Sequence, residues 1–375
     1  MSCYWPTDVK AVETGSPRLH ALIIGVGNYA HLGLDAQKPS KLLNGLAPLT
    51  TTPLAAKRIA GWLERHYQNP ACPLGSIELL LSPTETVTRG DGSMVAIEDA
   101  TMANIGAAFK RWYGRCHAQK ANMALFYFAG HGISMISQFL LPADFGNPDE
   151  PDDWENCINF SDMQVGMAKC AAQTQMFFVD ACRDAPIAAL TQKNPHGKSL
   201  AAASFQDKVD LSAAYFASSE GRKAYGRDGE ETFFCKALIL CLDGVGARRA
   251  GPKWRIDAAS LSSALVSVME TLGVTENLPL TSDCRVQKPV TLHYPNGGAV
   301  VLKVDCEPDQ ANAEANILVT QGPTLIHRSP AGERRPWMGR VTAGQTKVEV
   351  TFANYPSELI DDEMSPPTYE IEVRR

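Results

Sequence analysis

The sequence predicts an α/β protein built on a mostly parallel sheet flanked by helices, with an all-β, sandwich-like domain at its C-terminus. Short apolar runs alternate with segments of helical periodicity between residues 19 and 272, an order typical of parallel sheets covered by helices. The run at 121–130 shows no polar alternation, as expected for a strand buried on both faces. After about residue 290 only short strand-like segments remain, separated by Gly, Pro and Asn.

Local composition and spacing predict each element. Strands are expected where β-branched or aromatic apolar residues run together, at 19–26, 77–82, 121–130, 175–182 and 213–219. Helices are expected where apolar residues recur at helical spacing, at 54–66, 94–112, 160–170, 231–242 and 258–272. The predicted domains are an N-terminal extension at 1–17, an α/β domain at 18–290 with a polar linker at 185–212, and a β-rich domain at 291–375.

Composition disfavours several classes of protein. The chain has 375 residues, 45% hydrophobic and 20% charged, which is typical of a globular protein with more than one domain. The net charge of −6 and the scattered Lys and Arg residues do not favour a nucleic-acid partner. No apolar run approaches the ~20 residues of a membrane-spanning helix, and the N-terminus lacks a secretory pattern. A cytoplasmic protein with reduced cysteines is therefore expected. No two cysteines form a C-x-x-C pair, so a cysteine zinc site has little support, and no cofactor is expected.

Two predicted strands end in reactive residues. His131 follows the run at 121–130 and is flanked by glycines, and Cys182 ends the run at 175–182. Sites in open parallel sheets form at the carboxyl ends of the strands, and glycines let the backbone turn sharply beside a ligand. We therefore expect the two side chains to meet at one site.

These residue types suit nucleophilic catalysis. A neighbouring imidazole promotes the thiolate of a cysteine and then protonates the leaving amine. The backbone N–H groups of Gly132 and Cys182 are the candidate donors to an oxyanion. A lone Cys is more often a small buried hydrophobic residue, and a lone His is more often structural or solvated. Two apolar strands, a Gly-His-Gly turn and a separation of about 50 residues together favour catalytic roles for His131 and Cys182.

Several segments resemble the caspase–metacaspase family of cysteine peptidases, especially its bacterial members. These segments are HALIIGVGNY, FYFAGHG, FFVDACRD and YFASSEGRKAY, and they keep a consistent order over residues 18–290. The caspase signature is Q-A-C-[RQG]-G, with a His about 50 residues upstream. Residues 180–184 depart from it at the first and last positions. The resemblance implies a cysteine endopeptidase that uses Cys182 and His131.

The departures from the caspase signature bear on substrate preference. In animal caspases the Gln of the signature and an Arg after the next strand hold a substrate aspartate, and the matching positions here are Asp180 and Gly226. The resemblance places Ala224 and Tyr225 in the substrate site. A buried carboxylate without a cation is unfavourable, so the similarity to metacaspases implies cleavage after Arg or Lys. The alternative is that Asp180 only caps backbone amides.

Two further metacaspase features are matched weakly. The second acidic residue that metacaspases often carry before the first helix falls on Ala55, with Asp35 as a candidate substitute. The acidic stretch at 149–153 offers the oxygen ligands that calcium prefers. However, Pro148 and Pro151 interrupt this stretch, and its spacing is not that of an EF-hand loop. A solvated acidic loop is the preferred interpretation.

The polar linker at 185–212 matches the segment that joins the large and small portions of caspases and is often cut there. Lys193, Lys198 and Lys208 are candidate processing sites for a peptidase that cleaves after basic residues. Loops with little apolar content are preferred sites of nicking. Activity without any cut is the alternative.

Functions of different classes fit these observations. The first is an endopeptidase with protein substrates, kept as a zymogen until a sensor or an upstream peptidase activates it. By analogy with bacterial relatives, it would act in cell death or antiviral defence. The second is a catalytically silent caspase-like scaffold whose β-domain binds partners. A third, cleavage after acidic residues, is disfavoured by Asp180 and Gly226, and the presence of both Cys182 and His131 favours the first.

Overall fold

A computed structural model describes residues 3–5, 15–33, 36, 40, 43, 46–185, 196–201, 209, 211–329, 332 and 335–375. The chain divides into two compact units. The first unit comprises Met1–Lys236 and Ser282–Val290, and the second comprises Ala237–Thr281 and Thr291–Arg375. Residues 237–281 fall in the second unit together with the C-terminal strands, and the boundary between Val290 and Thr291 lies where the sequence places the start of the β-rich domain. The predicted domain bounds stay a prediction.

The described residues form strands and helices that are numbered here in chain order. The strands are β1 (Cys3–Trp5), β2 (Leu19–Val26), β3 (Leu74–Ser82), β4 (Thr86–Thr88), β5 (Met94–Ala96), β6 (Met123–Gly130), β7 (Gly132–Ser134), β8 (Gln138–Leu140), β9 (Ile158–Asn159), β10 (Thr174–Ala181), β11 (Leu211–Phe216), β12 (Arg248–Ala250), β13 (Lys253–Asp257), β14 (Asp283–Arg285), β15 (Thr291–His293), β16 (Ala299–Glu307), β17 (Asn316–Gln321), β18 (Thr324–Ser329), β19 (Trp337–Thr342), β20 (Gly344–Phe352), β21 (Tyr355–Met364) and β22 (Thr368–Arg374). The helices are α1 (Thr51–His66), α2 (Met102–His117), α3 (Phe160–Gly166), α4 (Phe233–Leu240) and α5 (Ala258–Glu276).

One element differs in type from its sequence prediction. The helix expected at 94–112 begins only at Met102, and Met94–Ala96 pairs with Thr86–Thr88 as a short antiparallel hairpin. The Thr101 hydroxyl accepts a hydrogen bond from the Asn104 amide and so caps the first turn of α2. The cap fixes the start of the helix at a point that apolar spacing alone does not reveal.

The first unit is built on a seven-stranded sheet in the order β1-β3-β2-β6-β10-β11-β14. The five inner strands are parallel, and the two edge strands pair antiparallel. The predicted mostly parallel sheet is thereby confirmed. Every residue of β2 and β6 is buried, which explains why these strands carry continuous apolar runs.

Aromatic side chains and close backbone packing hold this sheet against its helices. Phe160 of α3 meets Phe177 of β10 and Phe216 of β11 edge to face, at centroid distances of 5.8 and 5.9 Å. In β2, Gly25 lies so close to α1 that a Cβ atom on it would be 2.6 Å from the Cβ of Ala56. Glycine at this position therefore permits the contact between β2 and α1.

A second, smaller sheet of the first unit begins directly after His131. Its strands are β7, β8 and β9, paired antiparallel. Lys198 adds an isolated bridge to Ile158 of β9. The residue after the predicted base is therefore part of a hairpin rather than of a free loop.

The second unit contains a three-stranded sheet, β19-β16-β22, and a four-stranded sheet, β18-β17-β20-β21. Val304 of the first sheet and Val319 and Val348 of the second belong to one buried cluster, as expected for a small sandwich. The predicted all-β character of residues 291–375 is confirmed. Among the described residues, α5 has the length and apolar composition that would allow a helix to cross a membrane. Inside the protein, 56% of the apolar stretch of α5 is buried.

Candidate active site

A cavity of about 350 Å³ lies at the carboxyl ends of β6 and β10. Four segments that are distant in sequence contribute its lining. The lining residues are Pro48, Leu49, Thr50, Thr51, Thr52, Gly130, His131, Asp180, Cys182, Ala224, Tyr225, Gly226, Asp228 and Thr232. Among them are five residues predicted from the sequence to act in catalysis or substrate binding: His131, Cys182, Asp180, Ala224 and Tyr225.

The strand register explains why His131 and Cys182 come together. β6 and β10 are adjacent and parallel, with Ala181 opposite Gly130. His131 and Cys182 each follow directly after these residues, so they occupy matching positions where the two strands end. The sequence prediction that both reactive side chains share one site agrees with this register.

The His131 ring is held by two neighbours. Its Nε2 lies 3.0 Å from the carbonyl oxygen of Ala47, and its backbone N–H donates to the Tyr29 hydroxyl at 2.6 Å. The Tyr29 ring also packs against the imidazole, with centroids 4.8 Å apart. Because a carbonyl only accepts, Nε2 carries a proton and Nδ1 is the basic nitrogen of the neutral ring. Burial lowers the pKa of His131, while the Ala47 carbonyl and the Asp184 carboxylate raise it.

The Cys182 thiol accepts a hydrogen bond from the Ala224 amide, with the sulfur 3.3 Å from the nitrogen. Burial raises the pKa of this thiol, and the Ala224 N–H acts in the opposite direction. Within the described chain, no hydrogen bond joins the thiol to the His131 ring. Since burial raises the pKa of the thiol and lowers the pKa of the imidazole, it favours the neutral form of both groups.

The backbone N–H of Gly132 points away from β8 and toward the segment that contains Cys182. The Leu141 amide donates to His131 O at 3.1 Å, which makes Gly132 and Leu140 a pair without hydrogen bonds in the ladder of β7 and β8. The Ser134 N–H, two residues further on, turns away from β8 and donates to Asp184 O at 3.1 Å. Since alternate amides of a strand point the same way, the Gly132 N–H is also directed toward the segment that follows β10.

Asp180 is a buried acid that lines the cavity. Only 2% of the residue is exposed, and its Oδ2 accepts hydrogen bonds from the Tyr127 hydroxyl at 2.8 Å and from the Thr232 hydroxyl. Its Oδ1 is buried and has no hydrogen-bond partner among the described residues. Burial raises its pKa to about 6, and the bonds from Thr232 and Tyr127 lower it. Among the described residues, the side chain accepts hydrogen bonds from hydroxyls and from no backbone amide, so these contacts differ from those of an amide cap.

Close packing against Thr51 explains the glycine at 226. A Cβ atom on Gly226 would lie 2.8 Å from Cγ2 of Thr51, so a longer side chain fits only if Thr51 moves. Asp228, two residues further on, contributes a second carboxylate to the lining and accepts a hydrogen bond from the Thr50 hydroxyl. The described lining of the cavity therefore contains two acids, and position 226, where the caspase pattern places an Arg, is a glycine.

Not all predicted site residues lie at this cavity. Lys198 is bridged to β9 through both backbone groups: its N–H donates to Cys157 O at 2.7 Å, and its carbonyl accepts from Asn159 N at 3.1 Å. Its ammonium pairs with Glu155 at 3.2 Å. The other candidate processing sites, Lys193 and Lys208, lie outside the described residues, as does Asp35. Ala55 is buried in α1 and does not line the cavity.

Two carboxylates of the acidic stretch at 149–153 accept hydrogen bonds from other residues of the protein. Asp152 accepts from the Trp154 amide at 2.7 Å, and Asp153 accepts from the Ser40 hydroxyl at 3.0 Å. In the described part of the chain, no group of three or more His, Cys, Asp or Glu side chains is arranged to hold a metal ion. The preference for a solvated acidic loop over a calcium site stays a prediction.

Sequence reasoning missed residues that act through loops rather than strand ends. Tyr29 and Ala47 hold the predicted base, and Asp228 adds a second acid to the cavity. Tyr29 follows β2 closely, so the rule that sites form at strand ends could have found it. Ala47 contributes only its carbonyl, which leaves no signal in the residue type.

Comparison with known proteins identifies the family. A family profile described as the caspase domain, a peptidase family, matches residues 18–289. The chain therefore belongs to the caspase-domain family of peptidases and has a caspase-like fold.

Individual relatives are distant. The uncharacterized protein y4kE of Sinorhizobium fredii is 29% identical over 212 residues, which make up 55% of this chain and 60% of that protein. The crystal structure of caspase-1 from Spodoptera frugiperda is similar with a TM-score of 0.41 and 12% identity, covering 74% of this chain and 90% of that one. A structure described only as a protease has a TM-score of 0.32 and 10% identity, covering 95% of this chain and 69% of that one.

Proposed function

We propose that the protein is a cysteine endopeptidase that cleaves protein substrates after Arg or Lys. The observation that carries this proposal is the cavity that Cys182, His131 and the buried Asp180 line together. A nucleophile, a base and a specificity group within one cavity of this size suit peptide cleavage. The family supports the peptidase chemistry, and Asp180 supports the basic preference.

The catalytic steps follow from the contacts of the dyad. As Cys182 Sγ attacks the scissile carbonyl carbon, its proton passes to Nδ1 of His131, while the Ala47 carbonyl keeps the proton on Nε2. The carbonyl oxygen becomes an oxyanion, for which the Gly132 and Cys182 N–H groups are the proposed donors. His131 then protonates the leaving amine, and the C–N bond breaks to give an acyl-enzyme. Water, deprotonated by His131, hydrolyses the thioester and restores the thiol.

The preference for a basic residue rests on an unsatisfied acceptor. The Oδ1 atom of Asp180 is buried without a partner among the described residues, which is a costly arrangement for a carboxylate. An Arg or Lys side chain in the cavity would supply both a hydrogen bond and the opposite charge. Asp228 contributes a second carboxylate to the lining of the same cavity.

Reporter peptides that differ only in the residue before the cut test this proposal. We expect turnover with Arg or Lys and little with Asp or Gln. The Asp180→Asn variant should lose about 30-fold or more against the Arg reporter, since losing a desolvated charge partner typically costs about 2–5 kcal/mol. Equal turnover of Arg and Asp reporters by the wild-type protein would show that the preference is wrong.

Labelling distinguishes this proposal from a silent scaffold. Iodoacetamide should label Cys182 of the wild-type protein, and prior treatment with an Arg chloromethyl ketone should block that label. A scaffold without a working site would show the same iodoacetamide labelling with and without the chloromethyl ketone.

We also propose self-processing within residues 185–212. The two backbone hydrogen bonds of Lys198 to β9 and its neighbour protect the peptide bond after Lys198 from cleavage until Lys198 detaches from β9. Lys193 and Lys208 are therefore the favoured cleavage sites. Incubated wild-type protein should yield fragments ending at one of them, while Cys182→Ala stays whole. An intact and fully active wild-type protein would contradict self-processing. Activation by a sensor and a role in bacterial cell death or antiviral defence stay predictions from the family resemblance. A cytoplasmic location stays a prediction from the cysteine content and the N-terminal sequence.

A further inference from the structure

We propose that Gln138 is a positioning residue that fixes Cys182 relative to His131. This inference rests on the proposed function, in which these two residues form the catalytic dyad. Gln138 opens β8, its residue is only 5% exposed, and it does not line the cavity. It therefore acts on the site without facing the substrate.

The dyad lacks a direct link among the described residues, so its spacing depends on the segments that carry it. Two hydrogen bonds join the hairpin that follows His131 to the segment that follows β10. The first runs from Ser134 N to Asp184 O at 3.1 Å. The second runs from Gln138 Nε2 to Cys182 O at 3.2 Å. The second is the one made by a side chain, and it ends on the nucleophile itself.

The orientation of the Gln138 amide follows from its neighbours. Its Nε2 is 3.2 Å from Cys182 O and 3.3 Å from Phe139 O. Carbonyl oxygens only accept, so the NH₂ group must face them. The Oε1 atom is buried without a partner among the described residues. The NH₂ group thus bonds two carbonyl oxygens while the amide oxygen bonds none of the described residues. The hydrogen bond to Cys182 O therefore holds the Cys182 peptide in one position.

The same amide also lies close to Gly132, the residue whose N–H is a candidate oxyanion donor. A Cβ atom on Gly132 would lie 2.9 Å from Gln138 Nε2 and 2.8 Å from Cys182 O. Gln138, Gly132 and the Cys182 carbonyl are therefore packed into one buried contact. Loss of the amide would free the Cys182 peptide to move against both the base and the oxyanion donor.

Gln175 provides a matched control at the other end of β10. It is a glutamine that is 1% exposed, its Nε2 donates to Met167 O at 2.9 Å and Ala172 O at 3.0 Å, and its Oε1 is buried without a partner among the described residues. It lies near the start of the strand and does not line the cavity. Replacing either glutamine by Met removes the same groups from the same kind of environment.

The test compares Gln138→Met with Gln175→Met in the full chain. Thermal unfolding measures the structural loss, which should be similar for both. Steady-state kinetics on the Arg reporter should show kcat of Gln138→Met reduced by about tenfold or more with KM within about twofold, since small misplacements of reacting groups are costly. Gln175→Met should keep both parameters within about twofold of wild type. If Gln138→Met does not fold, the smaller Gln138→Leu serves in its place.

A second readout separates this inference from the proposed function. The rate of iodoacetamide alkylation at Cys182, followed by peptide mass spectrometry across pH, reports the setting of the thiol without any peptide cleavage. We expect Gln138→Met to change this pH profile and Gln175→Met to leave it as in the wild type. A wild-type protein that cleaves no reporter would contradict the proposed function, while the alkylation profiles would still decide on Gln138. Equal kcat and equal alkylation profiles in the two variants would overturn the inference.

Discussion

The carboxyl of Asp180 serves the site at a cost to the fold. Its burial raises its pKa to about 6, so between roughly pH 4 and pH 6 the folded protein binds more protons than the unfolded chain. Stability contributed by the protonated form is therefore lost as the pH rises through that window. In the proposed function, the Arg or Lys of a substrate would supply the ionised form with a partner.

The variant Asp180→Asn should therefore stabilise the protein above pH 6. The amide is neutral at all pH values and its oxygen can still accept from the Tyr127 and Thr232 hydroxyls. The gain in unfolding free energy should reach up to about 3 kcal/mol at pH 7.5 and vanish near pH 4. Urea unfolding of both proteins at several pH values measures it. A variant that is destabilised equally at both ends would show that the Asp180 charge carries no penalty.

The same ionisation should shape activity. Binding of an Arg side chain requires the charged carboxylate, so kcat/KM for the Arg reporter should rise with pH through about 6, the pKa of Asp180 in the free protein. Reporters with a neutral residue before the cut should lack this step. A full Arg-reporter rate maintained well below pH 5 would contradict this assignment.

At the level of strands and helices, the sequence was sufficient to predict those candidate site residues that lie at strand ends. His131, Cys182 and Asp180 stand at the ends of long apolar runs, and the parallel register brings them together. The sequence was insufficient where the contact is made by a backbone group or by a distant loop. Ala47 acts through its carbonyl and Gln138 through a neighbouring hairpin, and neither position carries a distinctive pattern. The same limit applies to the start of α2, which a Thr cap sets.

Edge strand β14 should stabilise the fold through the ion pair between its Asp283 and Arg183, the residue after Cys182. The guanidinium is buried with 4% of its side chain exposed, lies 4.2 Å above the Phe216 ring, and bonds Asp283 of β14 at 2.7 Å. Asp283→Ala leaves this buried cation without its anionic partner, so we expect a loss of about 1–3 kcal/mol in unfolding free energy. Arg285→Ala is the control: its side chain is 59% exposed, so its effect should stay within about 0.5 kcal/mol. Similar effects of the two substitutions would contradict this role.

At the scale of the whole molecule, the second unit is built from two separate stretches of the chain, residues 237–281 and 291–375. Helix α5 and the preceding segment belong to the same compact unit as the C-terminal strands. A chain ending at residue 290 should therefore lose the partners of α5 and expose its apolar face. We expect limited proteolysis to cut such a chain between residues 237 and 281 while the full chain resists. Equal resistance of the two chains in that region would show that residues 237–281 do not depend on the C-terminal strands.

The central claim is that Cys182 and His131 act as one catalytic unit on substrates with a basic residue before the cut. Turnover of the Arg reporter by wild type, Cys182→Ala, His131→Ala and the double variant tests this most directly, with circular dichroism confirming that each protein is folded. We predict cleavage by the wild type, loss of cleavage in either single variant, and a double variant hardly worse than the singles, since the two groups share one reaction. Cleavage of the Arg reporter by folded Cys182→Ala at the wild-type rate would contradict the account.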